Sequence, residues 1–261
     1  MMLKLSKRLE RIAKCVTEGS RVADIGSDHA LVPVFLVSTG RSPFAIAGEI
    51  NEGPLEAARK QVREAGLESR IDVRQGDGLA VLQAGEADTV TIAGMGGALI
   101  RDILEEGRLQ GKLVGVRELI LQPNVGEDLV RRWLVRNGWY LADEMIMEED
   151  GKTYEILLAN RPPDADELNG RLYDPGALPI AERLILPVER LYKMGPRLLR
   201  KHDPVWIRKW KSELGKLELI CRNLSLSDSE ESRLRLVGFR SEINEIMEVL
   251  ACLPMDKPSF K

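Results

Sequence analysis

The sequence predicts an α/β domain built on a mainly parallel sheet, followed by a second domain made of helices. Between residues 20 and 160, short β-rich runs alternate with helical patterns. Such alternation is typical of parallel strands that are joined by crossover helices. After Arg161 the strand pattern ends, and apolar residues recur every three or four positions, which indicates helices.

The first domain is predicted to contain seven strands and five helices. The strands cover residues 21–25, 44–49, 71–75, 89–93, 118–122, 140–148 and 154–159. The helices cover residues 30–39, 53–66, 78–84, 97–107 and 126–137. The segment EEDGK between the last two strands is short enough for a hairpin, so one of these strands must run antiparallel to its neighbours.

The second domain is predicted to be a helical hairpin. The polar stretch RPPDADELNG predicts a linker, which divides the chain into domains of residues 1–162 and 163–261. Pro187, Pro196 and Pro204 are expected to break or kink the segment that follows, and Ser227 with Glu230 predicts a capping box. The pattern of an antiparallel coiled coil comes from apolar residues at positions 206, 210, 214, 217, 221, 224, 236, 239, 243, 246, 250 and 253.

Composition limits the class of protein. A hydrophobic content of 44% is enough for a packed core. The N-terminus lacks the apolar stretch of a signal peptide, and no apolar run reaches the roughly 18 residues of a membrane span. Cys15, Cys221 and Cys252 are odd in number and lie far apart, which favours reduced thiols over disulfides or a metal site. We therefore expect a cytoplasmic protein without a bound metal.

Positive charge is concentrated in two blocks, although the net charge is −3. Residues 1–21 carry a local charge of +4, and residues 183–216 carry +7. Blocks of this kind can bind phosphates. A solvated helix face is an equally good interpretation of either block alone.

Polar residues and glycines follow each of the first five predicted strands. Ligands bind outside the carboxyl ends of such strands, where the strand order reverses. A carboxylate after the second strand suits a ribose diol, and an aspartate after the third can accept a hydrogen bond from an adenine amino group. The residues expected to bind a nucleotide cofactor are Asp24, Gly26, His29, Glu49, Ile50, Asp77, Gly78, Ala93, Gly94 and Met95.

The first loop distinguishes between cofactors. A dinucleotide-binding loop favours G-x-G-x-x-G, whereas this chain has D-x-G-x-D-x-A from Asp24 to Ala30. That acidic pattern is typical of class I S-adenosylmethionine (SAM) methyltransferases. Asp28 and Ala30 stand where glycines are common.

Seven segments together resemble one family. The chain is similar to the bacterial tRNA (adenine-22-N1)-methyltransferase family, TrmK, in LSKRLERIA, VADIGSDHA, AIAGEINEGPLEAA, VRQGDGL, TIAGMGGALI, LILQPN and EEDGKTYEIL. The resemblance implies a Rossmann-like SAM-methyltransferase domain with a C-terminal coiled-coil domain. It also implies SAM as cofactor, tRNA as substrate and methylation at N1 of adenine 22.

The implied reaction gives expected roles to further residues. Asp28 is the candidate catalytic residue, because a carboxylate stabilises the cation that develops on the base; as an alternative, it caps the next helix. His29 contacts the cofactor or orients Asp28, or it is a packed loop residue. The residues expected to bind tRNA are Gln122, Pro123 and Asn124 at the base edge, and Arg197, Arg200, Lys201, Arg208 and Lys209 at phosphates.

Some alternatives stay open at this point. Gln122 and Asn124 fit a plain strand-to-helix turn as well as a base-binding role. A nucleotide-sensing or RNA-binding module without turnover would use the same fold, and so would a small-molecule methyltransferase. A two-helix seam can close within one chain or between two, and we expect a monomer.

Overall fold

The computed structural model describes residues 4–227 and 229–253. Its centre is a seven-stranded sheet with the strand order β3-β2-β1-β4-β5-β7-β6. The strands are β1 Val22–Ile25, β2 Ala45–Glu49, β3 Ile71–Gln75, β4 Thr89–Met95, β5 Glu118–Pro123, β6 Tyr140–Glu149 and β7 Lys152–Asn160. All seven predicted strands are present.

The strand order reverses at the centre of the sheet. Strands β1 to β5 run parallel, and Ile25 of β1 pairs with Gly48 of β2 on one side and with Ile92 of β4 on the other. The carboxyl ends of β1, β2 and β4 therefore meet at one edge, where a crevice for ligands is expected. The predicted hairpin is confirmed, since β7 pairs antiparallel with both β5 and β6.

Helices cover the sheet and form the C-terminal part. They are α1 Lys7–Cys15, α2 Leu31–Ser38, α3 Glu52–Glu64, α4 Gly97–Leu109, α5 Glu127–Arg136, α6 Ala165–Leu172, α7 Val188–Met194, α8 Pro196–Lys201, α9 Pro204–Leu224 and α10 Glu230–Cys252. The predicted helix at residues 78–84 is instead a short 3-10 turn, Gly78–Val81. The turn ends at Leu82, whose backbone is extended with φ −95° and ψ 152°.

The chain divides into two compact units between Asn169 and Gly170. The stretch predicted as a linker contains most of α6, and Asn169 on this helix is buried. Its amide Nδ2 donates to the carbonyl of Trp139 at 2.8 Å, and its Oδ1 accepts from the N–H of Leu141 at 3.4 Å. Most of α6 thus belongs to the first unit, whereas the boundary at residue 162 stays a prediction.

Prolines stand at the start of α7, α8 and α9 in the second unit. Pro187 is the N-cap of α7, while Pro196 and Pro204 are the first residues of α8 and α9. A proline is tolerated there because its missing N–H has no partner within the helix anyway. The segment is therefore broken at these positions, as predicted.

The hairpin consists of α9 and α10, which pack against each other. The short connection between them requires an antiparallel arrangement, and the predicted seam positions are all buried or half-buried. The predicted capping box is wrong: Ser229 is the N-cap of α10, and its hydroxyl accepts from the N–H of Ser232 at 3.1 Å. Across the ranges 4–227 and 229–253, no helix has the length and apolarity that a bilayer span requires.

Candidate active site

The loop after β1 is organised around a buried carboxyl group. Asp24 is almost fully buried, and it accepts hydrogen bonds from the hydroxyls of Ser27, at 2.6 Å, and of Thr91 on β4. Burial raises the pKa of the Asp24 carboxyl, and the two hydroxyls oppose that rise. Asp24 was expected to contact the cofactor, but its oxygens are turned to these two side chains. These two contacts hold the first loop on β4, and the expected cofactor contact stays a prediction.

Gly26 allows two loops to approach each other. Its φ is +68°, a left-handed conformation that favours glycine, and its N–H donates to the carbonyl of Gly48 at 2.9 Å. A Cβ placed on Gly26 would stand 2.1 Å from Cε of Met95 at the end of β4. The close neighbour of this glycine within the protein is thus the β4 tip.

Asp28 and His29 lie at the exposed tip of the first loop. Their side chains are 81% and 55% exposed, and Oδ1 of Asp28 lies 3.4 Å from Nε2 of His29. His29 and Ala30 both have positive φ, at 62° and 52°. Left-handed conformations outside glycine are costly and often mark functional sites.

The capping role that was the alternative for Asp28 does not match this geometry. The N-cap of α2 is Ala30, and no side chain caps that helix. Ser27 is the N-cap of the preceding 3-10 turn, again without a side-chain cap. The Asp28 carboxylate therefore faces solvent at the rim of the crevice.

Glu49 lies at the end of β2, where the charge of Asp28 in the first loop acts on it. Its carboxyl is largely buried at the end of β2. Burial raises the pKa of Glu49, the backbone N–H of Ile50 opposes that rise, and the charge of Asp28 adds to it. The N–H of Asp28 also interacts with the Glu49 carboxylate. Ile50, which follows, is 53% exposed and offers an apolar surface beside the carboxylate.

The loop after β3 is more open. Asp77 is exposed and is the N-cap residue of the 3-10 turn, but its side chain makes no capping hydrogen bond there. Gly78 follows it with a φ of +51°. The Asp77 carboxylate is available to a ligand at the outer end of the crevice.

A bulge shapes the end of β4. The register of the β4–β5 pair shifts between Ala93 and Met95, which leaves Gly94 unpaired in the ladder with a φ of +78°. The Gly94 N–H donates to Oε1 of Gln122 at 3.2 Å, and its carbonyl accepts from Nδ2 of Asn124 at 2.8 Å. Side chains after β5 thus take over the hydrogen bonds that the bulge removes.

Gln122 is fully buried, which differs from the base-reading role expected for it. Its Nε2 donates to the carbonyl of Pro123 and to Oδ1 of Asn124, at 2.9 and 3.1 Å. Its Oε1 accepts from Gly94 and from Nη1 of Arg8 at 2.5 Å. Both donors and both acceptor positions of the amide are used, so Gln122 holds the β4 and β5 loops together. Pro123 is buried, and only Asn124 of this segment is exposed.

Sequence reasoning assigned no role to Arg8. This residue lies on α1, yet its guanidinium reaches Gln122 and stands 5.2 Å from the ring centroid of Tyr154 on β7. The segments LSKRLERIA and EEDGKTYEIL, which contain these two residues, carried the family resemblance without a function. Arg8 and Tyr154 lie far apart in the sequence, so the spacing of residues along the chain could not predict their contact.

The five cations expected to bind tRNA belong to the second unit. Arg197, Arg200 and Lys201 lie on α8, and Arg208 and Lys209 lie on α9. Lys201 and Arg208 are exposed, whereas the other three are half-buried. Nη1 of Arg200 donates to the carbonyl of Pro196 at 2.6 Å, and Nζ of Lys209 stands 6.0 Å from the Trp210 ring.

Side chains that could hold a metal do not cluster. Over residues 4–227 and 229–253, no group of three or more His, Cys, Asp or Glu side chains is placed to bind an ion. The site combines the exposed carboxylates of Asp28 and Asp77 and the largely buried carboxylate of Glu49 with glycine-rich backbone on β4. This arrangement suits a ligand that carries hydroxyl and amino donors.

Comparison with known proteins identifies the family. Residues 22–248 match the family model of TrmK, described as tRNA (adenine(22)-N(1))-methyltransferase. The tRNA (adenine(22)-N(1))-methyltransferase of Bacillus subtilis (strain 168) is 41% identical over 249 residues, which are 95% of this chain and 98% of that protein.

Solved structures agree with this match over the same length. The crystal structure of the B. subtilis M1A22 tRNA methyltransferase TrmK has a TM-score of 0.83 and 42% identity, and the alignment covers 95% of this chain and 99% of that one. A Streptococcus pneumoniae protein solved in complex with S-adenosyl-L-methionine has a TM-score of 0.76 and 39% identity, with 95% and 100% covered. The expected fold class and resemblance are confirmed: the chain belongs to the tRNA (adenine(22)-N(1))-methyltransferase family.

Proposed function

We propose that this protein transfers a methyl group from SAM to N1 of adenine 22 in tRNA. The observation that carries the proposal is the meeting of five loop tips at the carboxyl edge of the sheet, in a chain that belongs to this family. Family membership favours an enzyme over a binding module without turnover. The protein then acts in the cytoplasm, and we expect it to act as a monomer.

The residues of the crevice fit SAM. Glu49 has carboxylate oxygens beside the crevice for the two ribose hydroxyls, and exposed Ile50 packs against the adenine ring. Asp77 accepts from the adenine amino group, because its carboxylate is exposed and does not cap the 3-10 turn. The backbone from Gly78 and from Ala93 to Met95 lines the remaining walls, and His29 lies at the rim.

The chemistry needs alignment more than proton transfer. SAM supplies an electrophilic methyl group on a sulfonium. Adenine N1 has a free lone pair at pH 7, so the protein need not create the nucleophile, and the main task is to align the reacting atoms. The base becomes cationic as the methyl group is transferred.

Asp28 is the group that stabilises this positive charge on the base. Its carboxylate is 81% exposed at the rim and does not cap α2, so it is free to face a base that enters the crevice. A fixed negative charge beside the developing cation lowers the energy of the transition state. His29, 3.4 Å away, orients the carboxylate.

The substrate side is formed by the β4 and β5 loops. Exposed Asn124 contacts the edge of the flipped adenine, since a base must leave its stack to reach a buried methyl group. Buried Gln122 is a positioning residue that holds Asn124 and Gly94. The cations on α8 and α9 bind phosphates elsewhere on the tRNA.

The test uses tRNA transcripts with defined bases at position 22. The protein and SAM are incubated with a transcript that has adenine 22 and with one that has guanine there, and the nucleosides are analysed by mass spectrometry. We expect 1-methyladenosine from the first transcript only. Equal methylation of both transcripts, or none of either, would contradict the proposal.

A further inference from the structure

Arg8 brings a positive charge to the substrate side of the crevice. Its Nη1 donates to Gln122 after β5 and lies 3.6 Å from the position that a Cβ on Gly94 would occupy. The guanidinium therefore stands against the ends of β4 and β5. Two acids of the crevice, Glu49 and Asp77, follow β2 and β3 on the other side of β1.

The position of Arg8 is fixed from several directions. Glu149, at the end of β6, accepts the backbone N–H groups of Lys7 and Arg8 at 2.6 and 3.3 Å, which secures the first turn of α1. The guanidinium lies 5.2 Å from the Tyr154 ring centroid. A long side chain held in this way loses little further entropy on binding a ligand.

The Arg8 guanidinium is half-buried, and its contacts within residues 4–227 and 229–253 are with the Gln122 amide and the Tyr154 ring, neither of which carries a negative charge. Its hydrogen bond goes to a neutral amide, so most of its five N–H donors are left for a ligand. A partly buried guanidinium with free donors is suited to an oxyanion, which it can bind through two parallel hydrogen bonds.

We propose that Arg8 binds a phosphate group of the RNA strand at the nucleotide to be methylated. This inference rests on the proposed function, which brings a flipped nucleotide to the same edge. A carboxylate has the same chemistry, and SAM carries one. Arg8 shares Gln122 with Asn124, the exposed residue that is assigned to the flipped base, and this link favours the RNA phosphate.

The experiment compares full-length Arg8→Gln and Arg8→Lys with Arg11→Gln. Arg11 lies one turn further along α1, is exposed, and its loss removes the same charge from the same helix. tRNA binding is measured by filter binding over a salt series, and SAM affinity is measured by calorimetry. The value of kcat/KM for tRNA is determined at saturating SAM. Thermal denaturation reports whether each variant folds.

For Arg8→Gln we expect tRNA affinity and kcat/KM to fall about tenfold or more, the effect of losing one hydrogen bond to a charged group. The slope of log affinity against log salt should decrease by about one unit. Arg8→Lys should keep most of the slope and lose part of the affinity. Arg11→Gln should match the wild type, and SAM affinity should stay unchanged in all variants.

Three results would overturn the phosphate assignment. An unchanged salt slope in Arg8→Gln means that Arg8 only supports Gln122. An equal change in Arg11→Gln means a general effect of charge on α1. A larger loss of SAM affinity than of tRNA affinity assigns the oxyanion to the cofactor. Filter binding of tRNA does not depend on which base is methylated. Failure of the proposed function would be seen instead in the mass spectrometry of tRNA treated with the wild-type protein.

Discussion

Met95 lies so close to Gly26 that a Cβ on the glycine would stand 2.1 Å from the methionine Cε. The contact joins the tips of β1 and β4, the two strands between which the strand order reverses. The loop after β1, which is expected to approach the cofactor, is thus also packed against the end of β4.

Replacing Gly26 by alanine is therefore expected to destabilise the first unit and weaken SAM binding. The left-handed φ costs an alanine about 1–2 kcal/mol, and Met95 must move as well. Gly40→Ala is the matched control, because Gly40 has a φ of +74° and nothing within 4 Å of the added Cβ. Calorimetry with SAM and thermal denaturation measure both effects; equal behaviour of the two variants would mean that the Met95 contact has no role.

Glu49→Ala tests the ribose contact. Removing a carboxylate that accepts from two hydroxyls should weaken SAM binding by about 1.5–3 kcal/mol, the range for hydrogen bonds to a charged group. Glu68→Ala removes an exposed acid from the turn after α3 and serves as the control. Unchanged SAM affinity in Glu49→Ala would refute the ribose assignment.

The pH dependence of SAM binding gives an independent test of Glu49. Burial raises its pKa, so the folded protein protonates this carboxyl at a higher pH than an ordinary glutamate. Protonation removes the charge that the ribose hydroxyls prefer, and SAM affinity should fall as the pH decreases through this raised pKa. Glu49→Gln should lose that dependence, because the amide does not titrate. Parallel pH profiles of wild type and Glu49→Gln would contradict the expectation.

Asp28→Asn separates charge from shape. The amide keeps the size of the side chain, and the backbone N–H that interacts with Glu49 is retained. If the carboxylate stabilises a developing cation, turnover should fall by roughly 10²-fold, the scale for one electrostatic group. SAM affinity should change much less. Single-turnover rates at saturating SAM decide this, with Asp102→Asn on exposed α4 surface as the control; normal turnover would exclude a catalytic role.

The position of the site could be predicted because it follows from local order. Each loop tip comes directly after its own strand, and parallel strands place their carboxyl ends at one edge. This argument placed Glu49 and Asp77 at that edge, and the structure has Glu49 at the end of β2 and Asp77 just after β3. The prediction of the site depended on recognising the strands, which are short, apolar and separated by turn residues.

The contacts that hold the loops of the site in place could not be predicted in this way. Gln122 was expected to face a base, but its partners Arg8 and Gly94 come from distant parts of the chain. The bulge at Gly94 creates the free backbone groups that Gln122 and Asn124 satisfy, and a bulge is a property of strand pairing. The burial of Asn169 likewise shows that a polar stretch with two prolines can still fold onto the sheet unit.

The buried Asn169 predicts where the chain can be shortened. A fragment that ends after residue 172 keeps α6, and with it the hydrogen bonds to Trp139 and Leu141. A fragment that ends at residue 164 loses them and leaves buried backbone groups unpaired, at a cost of about 1–3 kcal/mol each. We expect both fragments to fold and the longer one to have the higher Tm. Equal Tm values would show that α6 adds nothing to the first unit.

Neutralising Lys201 and Arg208 tests the basic block of the second unit. Both are exposed, so Lys201→Gln with Arg208→Gln should leave the fold intact. If each contacts one phosphate, tRNA affinity should fall and the salt slope of binding should decrease by about one unit per contact. Arg235→Gln with Arg240→Gln removes the same charge from exposed positions of α10, outside the block, and should have little effect. The same affinity and slope in the first double variant and the wild type would mean that these charges only keep the hairpin solvated.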